Sequence, residues 1–561
     1  MSIDRARIQW NGWGWTAAKD TLAERDEVWT WLAAELGMPS LLATPARPLA
    51  EILLAPSRLT DALRHRFAEM LGNDRVRTDD YERAFHAYGR SYHDLLRMRL
   101  GDLSAAPDAV LFPRAASEVQ SALDLCNENS IAVVPYGGGT SVVGGVTGQA
   151  NGFPACVTMD LSGMGRMLNV DTVSRIAEAE AGIYGPALEK ELQSKGVTLG
   201  HYPQSFEFST LGGWIGHRGA GQNSVRYGKA ENWLVAAKMA APAGMMETPA
   251  FPASAAGPRL SDLMVGSEGT LGIITEATFK VRAIPEAIDY CGYLFHDFAT
   301  GVAAIREAVQ TGISVAMLRL SDPEETRFYR AFGALGKKRS AFDGFADAVL
   351  KYRNFGPGAC ALIAGFEDTD DAVRANRARF ARIARNLGAM NLGKAQGERW
   401  RAGRFHGPYM REPMMNRAVG VDTLETATHW SNIDRLYAAV RSALNTAIER
   451  TAPRPGAKGI VMCHVSHAYT DGASLYFTMI FPRALDGEIA QWKEIKTAAS
   501  NAISAHGGTI SHHHGVGEDH LPWIEAEKGA LSIEALRAAK RALDPKGIMN
   551  PGKLIPPTAH P

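Results

Sequence analysis

The chain has 561 residues, and 60 basic against 60 acidic side chains give a formal net charge of zero. Hydrophobic residues make up 46% and charged residues 21%, a balance that excludes a disordered or collagen-like chain. A neutral chain offers no overall basic field to phosphates, so no nucleic-acid partner is expected.

The amino end, MSIDRARIQWNGWGW, has no apolar core of a secretory signal. Residues 1–100 are expected to form a helical region, with helices over 17–37 and 79–100. Trp10, Trp13, Trp15, Trp29 and Trp31 are read as a packed helical core rather than a membrane-interface belt. From residue 101 the pattern turns to strand 109–112, a helix capped by Ser117 and running to 127, and strand 131–135. Further strands are expected at 156–159, 177–182, 234–241, 272–275 and 278–281, with a helix over 185–195.

From about 284 helices (298–310, 342–352, 370–387, 432–450 capped by Ser431) alternate with strands (316–320, 359–367, 476–480), and a last helix covers 533–543. The class is α+β, the second half carrying an antiparallel sheet. The arginines of 370–387 are read as a solvated face.

Five dispersed cysteines without C-x-x-C spacing fit a reducing compartment. The uncharged stretch 129–159 is broken by glycines, Pro135 and Pro154, so no transmembrane segment is expected. The end TAHP carries no peroxisomal or prenylation signal, and a cytoplasmic location follows as the expectation.

Three glycine-rich segments stand out. In Pro135-Tyr-Gly137-Gly138-Gly139-Thr140-Ser141, glycines after a strand allow successive N–H groups to turn inward, a concavity that holds a pyrophosphate without cationic side chains. The dinucleotide pattern G-x-G-x-x-G fails at Val142, and the nucleotide-triphosphate loop fails for want of its Lys. The second segment runs from Ser209 and Thr210 through Gly213, Trp214 and Gly216 to Gly228; the third holds Gly266, Glu268, Gly269, Thr270 and Ile273. Together they suggest one large ligand held mainly by backbone.

PYGGGTSVVGG, FSTLGGWIGHRGAGQNSVRYG and GSEGTLGIITEATFKV, in this order, resemble the flavin-binding motifs of the vanillyl-alcohol-oxidase family of FAD-linked oxidases, and LDPKGIMNPGKL resembles its closing segment. The resemblance implies an FAD-binding domain over 101–285, a cap over 286–536, and a segment 537–561 returning to the FAD domain. FAD is expected to be non-covalent, because Thr140 and Ser141 stand where covalent members often carry a histidine. WNGWGW, GHYPQSFEFSTLGGWI, CHVSHAYTDGASLYFT and GGTISHHHGVG narrow the resemblance to the alkylglycerone-phosphate synthase branch. That implies exchange of the acyl group of acyl-dihydroxyacetone phosphate for a fatty alcohol through a flavin N5 adduct, and a homodimer. A lipid-like substrate also allows peripheral contact with a membrane. An FAD-linked oxidase or dehydrogenase of a 2-hydroxy acid or alcohol is the alternative.

Histidine titrates near neutrality and can take a proton from carbon beside a carbonyl, which makes His512, His513 and His514 candidates. In an extended chain His512 and His514 would share a face and His513 would point away. The resemblance adds Tyr476 as acid/base partner and Arg319 as anchor for a carboxylate or phosphate. Glu518, Asp519 and His520 follow the histidines, but no metal site is expected. Ser474 stands where the animal enzymes carry cysteine, and GVGEDH replaces a more basic continuation.

Overall fold

A computed structural model describes residues 4–18, 22, 25–338 and 341–557. Part of the expected helix 17–37 and the TAHP end therefore lie outside the described residues; within the former, the helix spans Asp26–Glu35.

Three sheets organise the chain. The first is small and largely parallel: Ala109–Leu111 and Ala132–Tyr136 flank Cys156–Asp160, and Val76–Arg77 closes one edge. Its central strands are buried throughout, as apolar runs without alternation require. The helix expected from Ser117 spans Ala116–Glu128, and its N-cap is Ala115, with no side-chain cap.

The second sheet is antiparallel, in the order Met167–Asp171, Ile176–Glu180, Ile273–Lys280, Leu234–Ala241, Gly244–Glu247. The two strands expected at 272–275 and 278–281 are one, bulged between Ile274 and Glu276, where its pairing to Leu234–Ala241 slips. One hydrophobic core joins these two sheets and takes in Ile548 and Met549 from the end of the chain.

The third sheet has seven strands, ordered Met390–Gly393, Ala287–Phe295, Cys360–Asp368, Met317–Ser321, Ile460–Ala468, Gly472–Pro482, Val419–His429. Every pairing is antiparallel. One face buries Leu424, Val465, Leu475 and Phe477 against the helices Phe298–Gln310, Ile433–Arg450 and Glu488–Ala505. The other face carries Glu425, His464 and Tyr476. The helix Ile433–Arg450 is preceded by a 3-10 turn at Trp430–Asn432, so Ser431 lies inside that turn and does not cap it.

The N-terminal tryptophans divide. Trp29 packs from its helix onto the third sheet's edge. Trp13 and Trp15 belong to a turn, closed by a bridge between Ile8 and Trp15, that lays both rings edge-on against Phe208 at 5.7 and 5.1 Å. At the other terminus Asn550 donates to the carbonyls of Gly145 (2.9 Å) and Glu268 (2.7 Å), tying the first glycine loop to the third. Among the described residues no helix is long and apolar enough to cross a membrane.

Candidate active site

The three glycine segments converge on one cavity. Pro135, Gly137, Gly138, Gly139, Thr140 and Ser141 line it from the first loop. Ser209, Thr210, Gly213, Trp214 and Gly216 come from the second, and Glu268, Gly269 and Ile273 from the third. Gly266 and Thr270 are not among the lining residues: the Gly266 N–H donates to Ile215 O, and the Thr270 hydroxyl to Ser267 O. The Glu268 carboxylate accepts the N–H groups of Val516 (2.6 Å) and Gly517 (2.7 Å), which fastens the third loop to the segment after the histidines.

The cavity fits FAD. The backbone N–H groups from Gly138 to Val142 donate to no protein acceptor among the described residues, so they are free to face a pyrophosphate. A Cβ built on Gly216 would meet no protein atom within 4 Å, so this wall opens onto free space. Leu161, Ala181, Ile274 and Trp214 supply apolar surface for flat rings.

The far end of the same cavity is lined by Arg411, Thr423, Tyr476, His513 and His514. Sheet register builds this end: Glu425 pairs with Tyr476, and Tyr476 pairs with His464, across three neighbouring strands. Glu425 is buried, and its carboxylate accepts the backbone N–H of His512 (2.6 Å), His513 (3.0 Å) and His514 (2.8 Å) as well as the Ser511 hydroxyl (3.0 Å). Burial opposes its ionisation, but the surrounding histidines and these backbone donors outweigh that, and the carboxyl stays well below its ordinary value.

Curling around one carboxylate replaces the two-residue alternation expected for an extended chain. His513 and His514 both reach the cavity, and His512 turns away toward Tyr469, whose hydroxyl lies 2.6 Å from His512 Nε2. Burial lowers His513 to about 3 and His514 to about 4, so both are neutral near pH 7. His514 Nδ1 faces Glu425 Oε1 at 3.6 Å. Burial also raises the Tyr476 phenol.

Arg319 is not among the lining residues. Its guanidinium is 2.9 Å from Glu325, donates to Ser321 (3.0 Å) and lies 3.1 Å from His464 Nδ1. Burial would raise Glu325, but Arg319 and His464 together hold it near 2. His464 in turn stacks on Tyr476 with ring centres 4.9 Å apart. The cation that does reach the cavity is Arg411, which donates one bond to the Arg90 carbonyl (2.7 Å). Arg411 and Glu425 lie in no motif that sequence reasoning could single out, and His467, although inside the segment CHVSHAYTDGASLYFT, is not picked out from it.

Glu518, Asp519 and His520 turn elsewhere: Glu518 pairs with Lys553 (2.6 Å), Asp519 with His93 (3.1 Å), and His520 bonds the Gly515 carbonyl (3.0 Å).

Family comparison agrees with this layout. A model of the FAD binding domain matches residues 107–248, and one of the C-terminal domain of FAD linked oxidases matches 284–554. The alkyldihydroxyacetonephosphate synthase of Dictyostelium discoideum is 33% identical, covering 98% of this chain and 94% of its own. A solved structure of an alkyldihydroxyacetonephosphate synthase is 31% identical and superposes with a TM-score of 0.83, covering 98% of this chain and 100% of that one. p-Cresol methylhydroxylase, at 16% identity and TM-score 0.67, covers 89% of this chain and 98% of its own, and shares the fold.

Proposed function

We propose that this chain, which belongs to the alkyldihydroxyacetonephosphate synthase family of FAD-linked enzymes, exchanges the acyl group of acyl-dihydroxyacetone phosphate for a fatty alcohol. One observation carries the reading. A single cavity joins the glycine cradle to Arg411, Tyr476, His513 and His514, so a flavin held by the loops would meet a substrate held by those side chains.

When bound, FAD supplies a ring nitrogen able to bond to the substrate carbon. The chain's own residues do the rest. Arg411 holds the anionic end of the substrate with charge-assisted hydrogen bonds. His514, neutral and oriented by Glu425, takes the proton from the carbon beside the carbonyl, and His513 lines the cavity beside it. Tyr476 gives its proton to the departing carboxylate oxygen and regains one from the incoming alcohol, and His514 returns the proton it took to the same carbon, so acyloxy is exchanged for alkoxy with no net redox change. Arg319, acting through Glu325 and His464, holds the Tyr476 ring in place.

The match to the C-terminal domain of FAD linked oxidases favours a second reading, dehydrogenation of a 2-hydroxy acid or alcohol. The same proposal divides the chain at about 100, 285 and 536 into helical, FAD-binding, cap and returning parts. Five buried cysteines support a cytoplasmic setting, and a fatty-alcohol substrate supports peripheral contact with a bilayer. Homodimerisation is carried over from the family.

The test is anaerobic. Purified flavoprotein given acyl-dihydroxyacetone phosphate and hexadecanol should release fatty acid and form an ether product without an electron acceptor. Lasting flavin bleaching by D-lactate or another hydroxy acid, reversed by an acceptor, would instead establish the dehydrogenase reading.

A further inference from the structure

His512 is the member of the histidine run that does not line the cavity, and its surroundings differ from those of a packed core imidazole. His467, from the strand Ile460–Ala468, stacks on it at 4.9 Å between ring centres, and His513 completes a triangle with sides of 5.2 Å to His467 and 5.1 Å to His512. Ligand-capable atoms of the three residues all lie within 4.8 Å of one another. Three imidazoles on one tetrahedral ion, with metal–nitrogen bonds of about 2.0–2.1 Å, hold their ring centres roughly 5 Å apart. Hydrogen bonding within the protein explains only one side of the triangle. His512 Nδ1 and His513 Nδ1 face each other at 2.9 Å, yet His467 Nδ1 is buried with no partner among the described residues.

We propose that His467, His512 and His513 form a site for one divalent cation of the zinc class, with its fourth position open beside the cavity that His513 lines. Nitrogen ligands select such an ion over magnesium or calcium, which take oxygen. The surroundings supply the outer support that histidine ligands need. With the Nδ1 lone pairs of His512 and His513 directed at the ion, the His512 ring proton sits on Nε2 and points at the Tyr469 oxygen 2.6 Å away. The Ser474 hydroxyl accepts the His467 N–H at 3.0 Å and fixes that ligand's backbone. The Glu425 carboxylate, with Oε2 3.7 Å from His513 Nδ1, places negative charge beside the ion. Lys229 is the opposing charge: its Nζ donates to the His512 carbonyl at 2.7 Å and is partly compensated by Glu231 at 3.6 Å. The third ligand thus comes from a neighbouring strand and not from the acidic residues that follow the run.

The experiment uses FAD-loaded protein treated with a chelator, dialysed, and titrated with Co2+ and separately with Zn2+. We expect one equivalent of each by calorimetry and elemental analysis, and with cobalt the visible bands of a tetrahedral ion to the red of the flavin. His467→Ala should abolish both, and Tyr469→Phe should weaken binding roughly ten- to hundredfold. Flavin spectrum and melting temperature, measured on each variant, separate loss of the site from loss of the fold. Wild-type protein that gives no cobalt bands, or uptake by folded His467→Ala equal to wild type, overturns the proposal. Wild type and Tyr469→Phe decide the matter even if His467→Ala does not fold.

Discussion

Arg319 and Arg411 bring the same charge to the same end of the molecule, but their partners differ. Arg319 is bound by Glu325, Ser321 and His464, and Glu325 is buried. Removing that guanidinium would leave a carboxylate in the interior without its cation, at a cost of about 3–5 kcal/mol. Arg411 faces the cavity and has one hydrogen bond to a carbonyl, so most of its donors are available to a ligand. Arg411→Met should therefore raise KM for the phosphorylated substrate roughly ten- to hundredfold, the equivalent of about 1.5–3 kcal/mol for hydrogen bonds to a charged group, with flavin content and melting temperature unchanged. Arg319→Met should lower the melting temperature and the yield of folded protein. Steady-state kinetics and thermal denaturation on both variants check this. Native stability in Arg319→Met together with a raised KM would reverse the two assignments.

At the scale of elements, the glycine loops were legible because the backbone requirement is written in consecutive residues. Gly138 shows how tight the requirement is: a Cβ there would lie 1.6 Å from the Phe208 carbonyl oxygen, a backbone atom that cannot swing aside. Gly138→Ala should displace the first loop from the second and cost about 1–3 kcal/mol, as overpacking does. The expected result is a protein that still folds but purifies with less than about a tenth of its flavin, read from the ratio of flavin to protein absorbance. A fully yellow Gly138→Ala protein would show that the loop has slack the structure does not display.

The far end of the cavity was only half legible. Tyr476 and the histidine run lie in recognisable segments, but their geometry depends on Glu425 and His464, which reach Tyr476 through pairing across strands distant in sequence. The strands Val419–His429 and Ile460–Ala468 escaped notice because polar residues (Asp422, Thr423 and Glu425 in one, His464, Ser466 and His467 in the other) interrupt their apolar pattern. Arg411 opens a five-residue helix too short to show any period. The twist of His512 away from the cavity could not be read at all, since it follows from three N–H groups converging on one carboxylate.

For the molecule as a whole, zero net charge conceals a large interior population of ionisable groups whose responses to pH oppose one another. Burial lowers His93, His201 and His513 to about 3 and His514 and His520 to about 4. An unfolded chain protonates its histidines near 6.5, so between about 6.5 and 4 the unfolded state binds more protons at these sites and stability falls with pH. Burial also raises Asp322 to about 6 and Glu412 to about 7. Those carboxyls are protonated in the folded protein before they are in the unfolded one, so between about 7 and 4.5 they add stability as pH falls. Each group contributes at most about 1.4 kcal/mol per pH unit, and less where water reaches it. The two sets partly cancel down to about pH 4.5. Below that the raised carboxyls are protonated in both states and contribute no further slope. The histidines continue to oppose protonation, and Glu325, held near 2, joins them. Five lowered histidines outnumber two raised carboxyls, so urea midpoints should decline continuously from about pH 6.5 to 4, with the carboxyls offsetting less than half of the slope. Glu412 isolates one contribution: its carboxyl accepts the Trp13 N–H at 2.9 Å, linking the N-terminal turn to the chain beside Arg411, and glutamine can accept the same bond. Glu412→Gln removes a group that favours the folded state as pH falls, so its decline between pH 7 and 5 should be steeper than wild type by up to about 1.4 kcal/mol per unit. Parallel profiles for the two proteins would mean that Glu412 titrates as an ordinary carboxyl and that the N-terminal turn admits water.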